Sequence, residues 1–330
     1  MKTLVTGGAG YIGSHAVRIL AKAGHEPWVF DNLVLGHRGA VPAGRLIVGD
    51  LANRGQLVAA LRDKQIEAVM HFAAFALVGE SVSDPAKYYR NNVVGTLELL
   101  EAMLEAGVNK IVFSSTTATY GVPQQVPITE RERQEPINPY GFCKLVIEHA
   151  LADYARAYGF GYAALRYFNA AGAAPDGTLG EDHRPESHLI PLVLQVALGQ
   201  RASITVFGDD YPTPDGTCVR DYVHVRDAAE AHVLALAALD KASCTYNVGY
   251  GNGYSVAEVV EMARQVTGRW ISTEAAPHRA GDPAILIANA DKLMLELGWQ
   301  PRHSELDVIL QSQWSVASGR IAHRGRLVNQ

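Results

Sequence analysis

The sequence predicts an α/β protein: a doubly wound parallel sheet joined to a smaller C-terminal α/β lobe. Three observations carry this. The chain opens with an apolar strand, Lys2 to Thr6, that runs straight into a glycine-rich turn and then a helix. Strand-like and helix-like segments alternate through the first half, as in a parallel sheet covered by helices on both faces. After about residue 170 the alternation breaks, and glycine, proline and polar residues dominate 171–187 and 208–216. The expected division is 1–170 and 171–330, the two parts interleaving because about 217–245, beginning with Thr217 to Val225, reads as a return to the sheet.

The first turn reads Gly7-Gly8-Ala9-Gly10-Tyr11-Ile12-Gly13. Glycines at 7, 10 and 13 let the backbone turn tightly and approach a pyrophosphate. The helix that follows, Tyr11 to Ala23 closed by Gly24, aims its N-terminal amides and positive dipole end at that charge. Glycines also tighten turns that bind nothing, but strand, turn and helix in succession favour dinucleotide binding on a Rossmann-like fold. A second strand, Pro27 to Phe30, ends in Asp31, 18 residues past Gly13. A carboxylate there accepts hydrogen bonds from an adenosine ribose and repels a 2′-phosphate, so NAD is expected rather than NADP.

Further strands are expected at Arg45 to Val48, Glu67 to Phe72, Ile111 to Ser114 and Tyr162 to Phe168. Helices fall near Asn53 to Asp63, from Asp84 to Ala106 and from Pro139 to Tyr158. Asp84 stands before Pro85 as a cap before a first-turn proline, and Gly107 is the stop. Val93, Leu97, Leu100 and Leu104 give that helix an apolar stripe.

Composition narrows the function. The chain is 48% hydrophobic and 19% charged, ordinary for a globular protein. A net charge of −5 and the lack of any Lys/Arg run argue against nucleic acid as a partner. Cys143, Cys218 and Cys244 are odd in number and wrongly spaced for a disulfide framework or a zinc site, and no metal is expected. With the first strand at residue 2 and no apolar run of membrane-spanning length, the expectation is a cytoplasmic protein without leader or membrane partner.

Tyr140-Gly141-Phe142-Cys143-Lys144 opens the helix after Asn138-Pro139. Residues four apart share a helix face, so phenol and ammonium lie about one turn apart. An ammonium beside a phenol favours the phenolate, as would the positive nicotinamide ring of an oxidised cofactor. Moving a tyrosine pKa from about 10 to near 7 takes about 4 kcal/mol of such stabilisation. That tyrosine can then take a hydroxyl proton while hydride leaves the carbon beneath it. Tyr140, Lys144, Ile147, Leu151, Tyr154 and Tyr158 also make a helical stripe that packing alone would explain, but after this nucleotide turn the catalytic reading is favoured. Upstream, Ser114-Ser115-Thr116-Thr117 ends a strand on the expected cofactor side, where a hydroxyl can bond a sugar or relay its proton; such hydroxyls also satisfy loop backbone.

With these pieces assembled, the chain resembles the extended short-chain dehydrogenase/reductases, and within them the UDP-glucose 4-epimerase family, from Leu4 to about Trp299. The resemblance rests on Thr6-Gly7-Gly8-Ala9-Gly10-Tyr11-Ile12-Gly13-Ser14-His15, Asp31-Asn32-Leu33, Gly49-Asp50 and His71-Phe72-Ala73-Ala74. Val78-Gly79-Glu80-Ser81, Tyr88-Tyr89-Arg90-Asn91-Asn92-Val93 and Leu165-Arg166-Tyr167-Phe168-Asn169 add to it. The most specific matches, Gly208-Asp209-Asp210-Tyr211-Pro212-Thr213 and Val219-Arg220-Asp221-Tyr222-Val223-His224-Val225, lie outside the generic cofactor domain.

The resemblance implies reversible inversion at carbon 4 of a UDP-hexose through a 4-keto intermediate, with NAD resident. It implies Tyr140 as acid/base, Lys144 as the residue that holds nicotinamide ribose and tunes it, and Thr116 as the hydroxyl beside the substrate. Beyond Gly7, Gly10 and Gly13, NAD contacts would come from Tyr11, Ile12, Asp31, Asn32, Asp50, Leu51, Phe72, Ala73, Ala74, Asn91 and Phe168. The UDP-sugar would meet Asn169, His188, Leu189, Phe207, Arg220, Arg279, Asp282 and Leu286. Two arginines suit a diphosphate, each offering a planar fork of donors; the alternative for each is a surface ion pair, and Arg220-Asp221 in particular would suit a structural bridge. The family also implies a homodimer built as a four-helix bundle from Asp84 to Ala106 and Pro139 to Tyr158.

Four positions depart from the family pattern. Thr116 replaces a common serine and keeps the hydroxyl. Ala76 stands where some members place a lysine near the pyrophosphate. His188 replaces an asparagine of the nucleotide pocket. Leu286 falls at the gate beside the sugar's 2-position, intermediate between a tyrosine and the small residues that tolerate N-acetyl sugars. UDP-N-acetylglucosamine therefore remains an alternative substrate, and so do UDP-arabinose and UDP-xylose, because the motifs do not read carbon 6. A dehydratase would carry an Asp-Glu pair after its threonine, and Thr116 is followed by Thr117-Ala118. A non-catalytic NAD-sensing regulator is disfavoured by the retained Tyr140, Lys144 and Thr116.

Overall fold

The computed structural model describes residues 1–240, 242–279 and 282–328, with side chains as far as Gly319. Strands β1 (Lys2–Thr6), β2 (Glu26–Asp31), β3 (Leu46–Val48), β4 (Ala68–His71), β5 (Lys110–Thr116) and β6 (Gly161–Tyr167) come from the first half. The second half adds β7 (Asn169–Ala171), β8 (Ile204–Phe207), β9 (Val219–His224), β10 (Cys244–Val248), β11 (Gly253–Ser255), β12 (Thr273–Ala276) and β13 (Ile285–Leu286). The helices are α1 (Tyr11–Lys22), α2 (Arg54–Asp63), α3 (Val78–Ser83), α4 (Pro85–Tyr88), α5 (Gly95–Ala106) and α6 (Pro139–Tyr158). They continue with α7 (Leu189–Ala197), α8 (Val225–Ala238), α9 (Val256–Thr267), α10 (Asp291–Leu297) and α11 (Leu306–Val328).

The large sheet is parallel throughout, in the order β10-β6-β5-β4-β1-β2-β3. Its inner strands β1, β4, β5 and β6 are buried on both faces, and alternate residues divide between two cores. Val5, Met70, Val112 and Leu165 pack with Val17 and Leu20 of α1 and with the alanines of α8. Leu4, Val69, Ile111 and Phe113 pack on the other face with Leu57 and Leu61 of α2, Leu99 and Met103 of α5, and Ile147 and Leu151 of α6. The strand order reverses between β1 and β4, and open α/β sheets bind ligands beyond the carboxyl ends of the strands at such a switch. A separate core in the second half gathers Ile190 and Val193 of α7, Tyr222, Val259 and Ile309.

Two elements differ from the sequence expectation. Strand β9 lies not in the large sheet but in a four-stranded one with β7, β11 and β13. Arg220 and Asp221 point to opposite faces of that strand, and a central strand with an apolar helix on each face has no place for either. Asp221, fully buried, instead accepts the backbone amides of Tyr250, Gly251 and Ala288. Helix α8 packs on α1 and leads to β10, which extends the large sheet beside β6. The helix expected over Asp84–Ala106 is interrupted by a π turn at Tyr89–Val94, with α3 preceding it. The turn buries Asn92, whose amide both donates to Phe75 O and accepts from Phe75 N. Such bulges gather at functional sites, and this one fixes the loop that follows β4. No helix among the described residues is long and apolar enough to cross a membrane.

Candidate active site

A cavity of about 1660 Å³ runs along the carboxyl ends of the large sheet and under the second half of the chain. Every residue named above as a catalytic, cofactor or substrate candidate lines it. At its cofactor end Gly7 has φ +72° and packs so closely on the β4 loop that a Cβ would stand 2.5 Å from Ala73 N. Gly13 is just as constrained, its Cβ falling 2.2 Å from Gly7 O, whereas Gly10 would meet only Gly7 O at 3.3 Å. Gly10 caps α1 without a side chain, so the helix's first amides are left for a ligand. Asp31, buried at the end of β2, accepts from Ala9 N (3.0 Å) and Leu33 N (2.8 Å), which ties the acid to the glycine turn. Asn32 donates to Asp50 Oδ2 at 2.8 Å. His71, at the end of β4, is bonded to Thr6 and Thr96 hydroxyls at 2.6 and 2.8 Å, and burial lowers its pKa to about 3.

Tyr140 and Lys144 lie in the first turns of α6, where Asn138 caps the helix by accepting from Gly141 N. Thr116 ends β5 and its hydroxyl accepts from Ala118 N at 3.2 Å. The side chains behave differently from the simple expectation of a lysine lowering a phenol. Burial pushes Tyr140 up to about 12, with a hydrogen bond to Thr116 in opposition. Burial also pulls Lys144 down to about 7, against the opposing fields of Cys143 and Glu148. The reason is geometric: Lys144 Nζ donates to Ser114 O at 2.7 Å and stands 5.9 Å from the centroid of the Tyr140 ring. The protein by itself therefore holds phenol and amine ready without ionising the phenol.

One helical turn beyond Lys144, Glu148 anchors α6 to the sheet. It pairs with Arg166 of β6 and accepts from Ser115 Oγ of β5, with all three buried. Tyr120, bonded to Arg166 and Asn247, continues the network. Asn92 and this Glu148–Arg166 pair were not among the residues singled out in the sequence; Arg166 and Asn92 sat inside matched motifs, but only their contacts give them a role.

At the other end of the cavity Arg220 pairs with Asp282, not with Asp221, and donates to Val219 O. Arg279 lies over the Phe207 ring at 4.0 Å. Leu286 packs with Tyr120, Ile128, Phe168 and Ala288. Ala76 is exposed at the cavity wall. His188 turns Nδ1 to Glu181 and Glu186; burial opposes its charge, but these hydrogen bonds outweigh it and carry the pKa to about 10.

A glycine turn at the switch point of a parallel sheet, an acid at the end of β2 and a Tyr-x-x-x-Lys pair at a helix start define a dinucleotide-dependent enzyme of the short-chain dehydrogenase/reductase class. Within that class the chain belongs to the NAD dependent epimerase/dehydratase family, whose model matches residues 3–249. A UDP-glucose 4-epimerase of Halalkalibacterium halodurans is 53% identical over 317 residues, covering 96% of this chain and 95% of that protein. The crystal structure of UDP-glucose 4-epimerase from Brucella ovis in complex with NAD superposes with a TM-score of 0.92 at 50% identity, covering 94% and 96% of the two chains. That of UDP-glucose 4-epimerase from Stenotrophomonas maltophila, with bound NAD and formylated UDP-arabinopyranose, gives 0.95 at 40% identity over 98% and 99%.

Proposed function

We propose that the protein is a UDP-glucose 4-epimerase, interconverting UDP-glucose and UDP-galactose through a 4-keto intermediate with NAD tightly held. The observation that carries the reading is that Tyr140, Thr116 and Lys144 share one cavity with the glycine turn and with the Arg220 and Arg279 forks. The residues present fit NAD: a Cβ is absent at Gly10 where the backbone must approach a pyrophosphate, and Asp31 suits a ribose without a 2′-phosphate. When bound, NAD supplies the hydride acceptor and donor for carbon 4 and a positive ring charge beside Tyr140.

Tyr140 Oη takes the proton of the 4-hydroxyl and returns it after the sugar has turned, and the Thr116 hydroxyl steadies that oxygen in both directions. Lys144 Nζ, held by Ser114 O, keeps a donor under the reacting centre. Arg220 and Arg279 take the diphosphate, and Asn169, Leu189, Phe207, Asp282 and Leu286 bound the nucleotide and sugar. The test is incubation with UDP-galactose, UDP-N-acetylgalactosamine and UDP-arabinose, with each 4-epimer quantified and NAD measured in the purified protein. UDP-galactose is expected to react; failure on all three with NAD present would leave the regulator as the better reading. Pentose turnover is the second reading to be measured, since a similar protein holds a UDP-arabinopyranose derivative.

The same reading assigns 1–170 to NAD and 171–330 to the UDP-sugar, places the protein in the cytoplasm and makes it a homodimer. Exposed Tyr89, Val94 and Leu97, with Phe142 on α6, support pairing of these helices into a four-helix bundle. A monomer by light scattering would remove the dimer.

A further inference from the structure

The segment 181–188 gathers two carboxylates and two imidazoles at the cavity wall. One ligand atom each from Glu181, His183, Glu186 and His188 lies within 4.8 Å of all the others. His183 Nδ1 is 3.1 Å from Glu181 Oε1 and 3.7 Å from Glu186 Oε2. His188 Nδ1 is 2.8 Å from Glu181 Oε1 and 3.1 Å from Glu186 Oε1. Metal–ligand bonds of about 2.0–2.1 Å draw a tetrahedron with six edges of about 3.3–3.4 Å; the four His–Glu separations lie near that value, and no pair of ligand atoms is more than 4.8 Å apart. His183 Nδ1 and His188 Nδ1 each face the same two carboxylates, so all four groups are turned toward one another. Two carboxylates neutralise a divalent cation, and two neutral imidazoles complete a set of four.

We propose that Glu181, His183, Glu186 and His188 bind one divalent transition-metal ion, zinc by the chemistry of the set, in a closed structural site. With four protein ligands no position remains for substrate or water, so its work is to fix the chain. The segment crosses the cofactor turn. The His183 ring stands edge-on to Tyr11, the first residue of α1, with centroids 6.1 Å apart. His37 Nε2 lies 3.0 Å from Asp182 O, and His188 is the residue from which α7 starts. The ion thus straps the start of α1 to the start of α7 and restrains the exit of a dinucleotide from the glycine turn. His188 then serves the nucleotide pocket by fixing Leu189 rather than by touching the nucleotide. The cysteine spacing gave no hint of a metal; the signal is Glu-x-His-x-x-Glu-x-His.

The rival arrangement is two imidazolium–carboxylate pairs with no ion, and metal content rather than turnover separates the two. Tag-free holoenzyme, purified without chelator, is analysed by inductively coupled plasma mass spectrometry. It is then stripped and titrated with Zn²⁺ against a chromophoric chelator, with Mg²⁺ as control, and reconstituted with Co²⁺. The expected results are one zinc per chain, no response to Mg²⁺, the intense visible band of tetrahedral cobalt, and a raised Tm with slower NAD release when zinc is restored. The His183→Gln/His188→Gln variant is expected to lose zinc to background. Wild-type protein that competes for no zinc overturns the proposal, as does a folded variant that keeps it. If the double variant fails to fold, Glu186→Gln is used, and the wild-type cobalt spectrum decides by itself: an octahedral or absent band overturns the site.

Discussion

Gly7 and Gly10 belong to one turn, yet the structure separates what each does. At Gly7 an alanine Cβ would stand 2.5 Å from Ala73 N and 2.7 Å from Ala73 Cα, with φ at +72°. Both neighbours are backbone pinned by hydrogen bonds from Phe72 N and Ala73 N to Thr6 O, so neither can give way. A left-handed conformation costs alanine about 1–2 kcal/mol, and forced overpacking about 1–3 kcal/mol more. Gly7→Ala is therefore expected to lose about 2–5 kcal/mol, less the fraction of a kcal/mol returned by a stiffer unfolded chain. At about 2–4 °C per kcal/mol for a large domain, Tm falls by about 4–20 °C. At Gly10 the only close atom is Gly7 O at 3.3 Å, and φ is −80°, which any residue adopts. Gly10→Ala should change the stability of NAD-stripped protein by less than about 1 kcal/mol, while its methyl occupies the approach to the pyrophosphate. The assays are urea unfolding of stripped protein by circular dichroism and NAD content after denaturation. The reasoning is refuted if stripped Gly7→Ala unfolds within 1 kcal/mol of wild type, or if Gly10→Ala retains NAD as fully as wild type does.

Three further expectations rest on other parts of the site. Tyr140→Phe should retain NAD but lose about 10²–10⁴-fold in 4-epimerase rate, the range of a missing acid/base; an unchanged rate in a coupled UDP-glucose assay removes the catalytic assignment. Glu148→Gln leaves Arg166 charged and buried without its partner, for an expected loss of about 3–5 kcal/mol in urea, whereas Glu148→Leu with Arg166→Met should recover much of it; equal losses in both would contradict this. Burial holds His71 neutral in the fold, its pKa lowered from 6.5 to about 3. The unfolded chain takes up the proton as pH falls below 6.5 and the folded one does not, so the stability present at neutral pH is lost between about 6.5 and about 3, some 2 kcal/mol of it by about pH 5. His71→Asn, which keeps an amide between Thr6 and Thr96, should flatten that part of the stability–pH curve.

What the sequence made legible follows from the range of the interactions. The glycine turn, Asp31 and the Tyr140–Lys144 spacing are local patterns, readable because strand, turn and helix are set by neighbours in the chain. The π turn at Tyr89–Val94 was not readable, because it exists to bring Asn92 to Phe75, 17 residues away. The placement of β9 in a second sheet depended on partners for Asp221 that come from Tyr250, Gly251 and Ala288. Lys144 illustrates the limit at the site itself: helical spacing placed it one turn from Tyr140, but Ser114 O on a neighbouring strand decides where its ammonium points. Glu148 escaped notice for the same reason, its partners lying on β5 and β6.

On the proposed mechanism the distribution of charge along the cavity is itself a requirement. Inversion at carbon 4 needs the sugar to offer each face in turn, so a pocket complementary to one epimer would lower the energy of that bound state and raise the barrier out of it. Holding energy has to come from elsewhere. Arg220 is fixed in advance by Asp282 and Val219 O, and Arg279 rests on Phe207, so the forks for a diphosphate lose little freedom on binding. The cavity that holds Tyr140 and Thr116 is also lined by Phe168, Leu286 and Ala74, apolar or small side chains that confine a hexose without gripping its hydroxyls. Strong contacts at the nucleotide and weak ones at the ring let one tyrosine serve both faces, and the resident cofactor is what makes a single tyrosine sufficient.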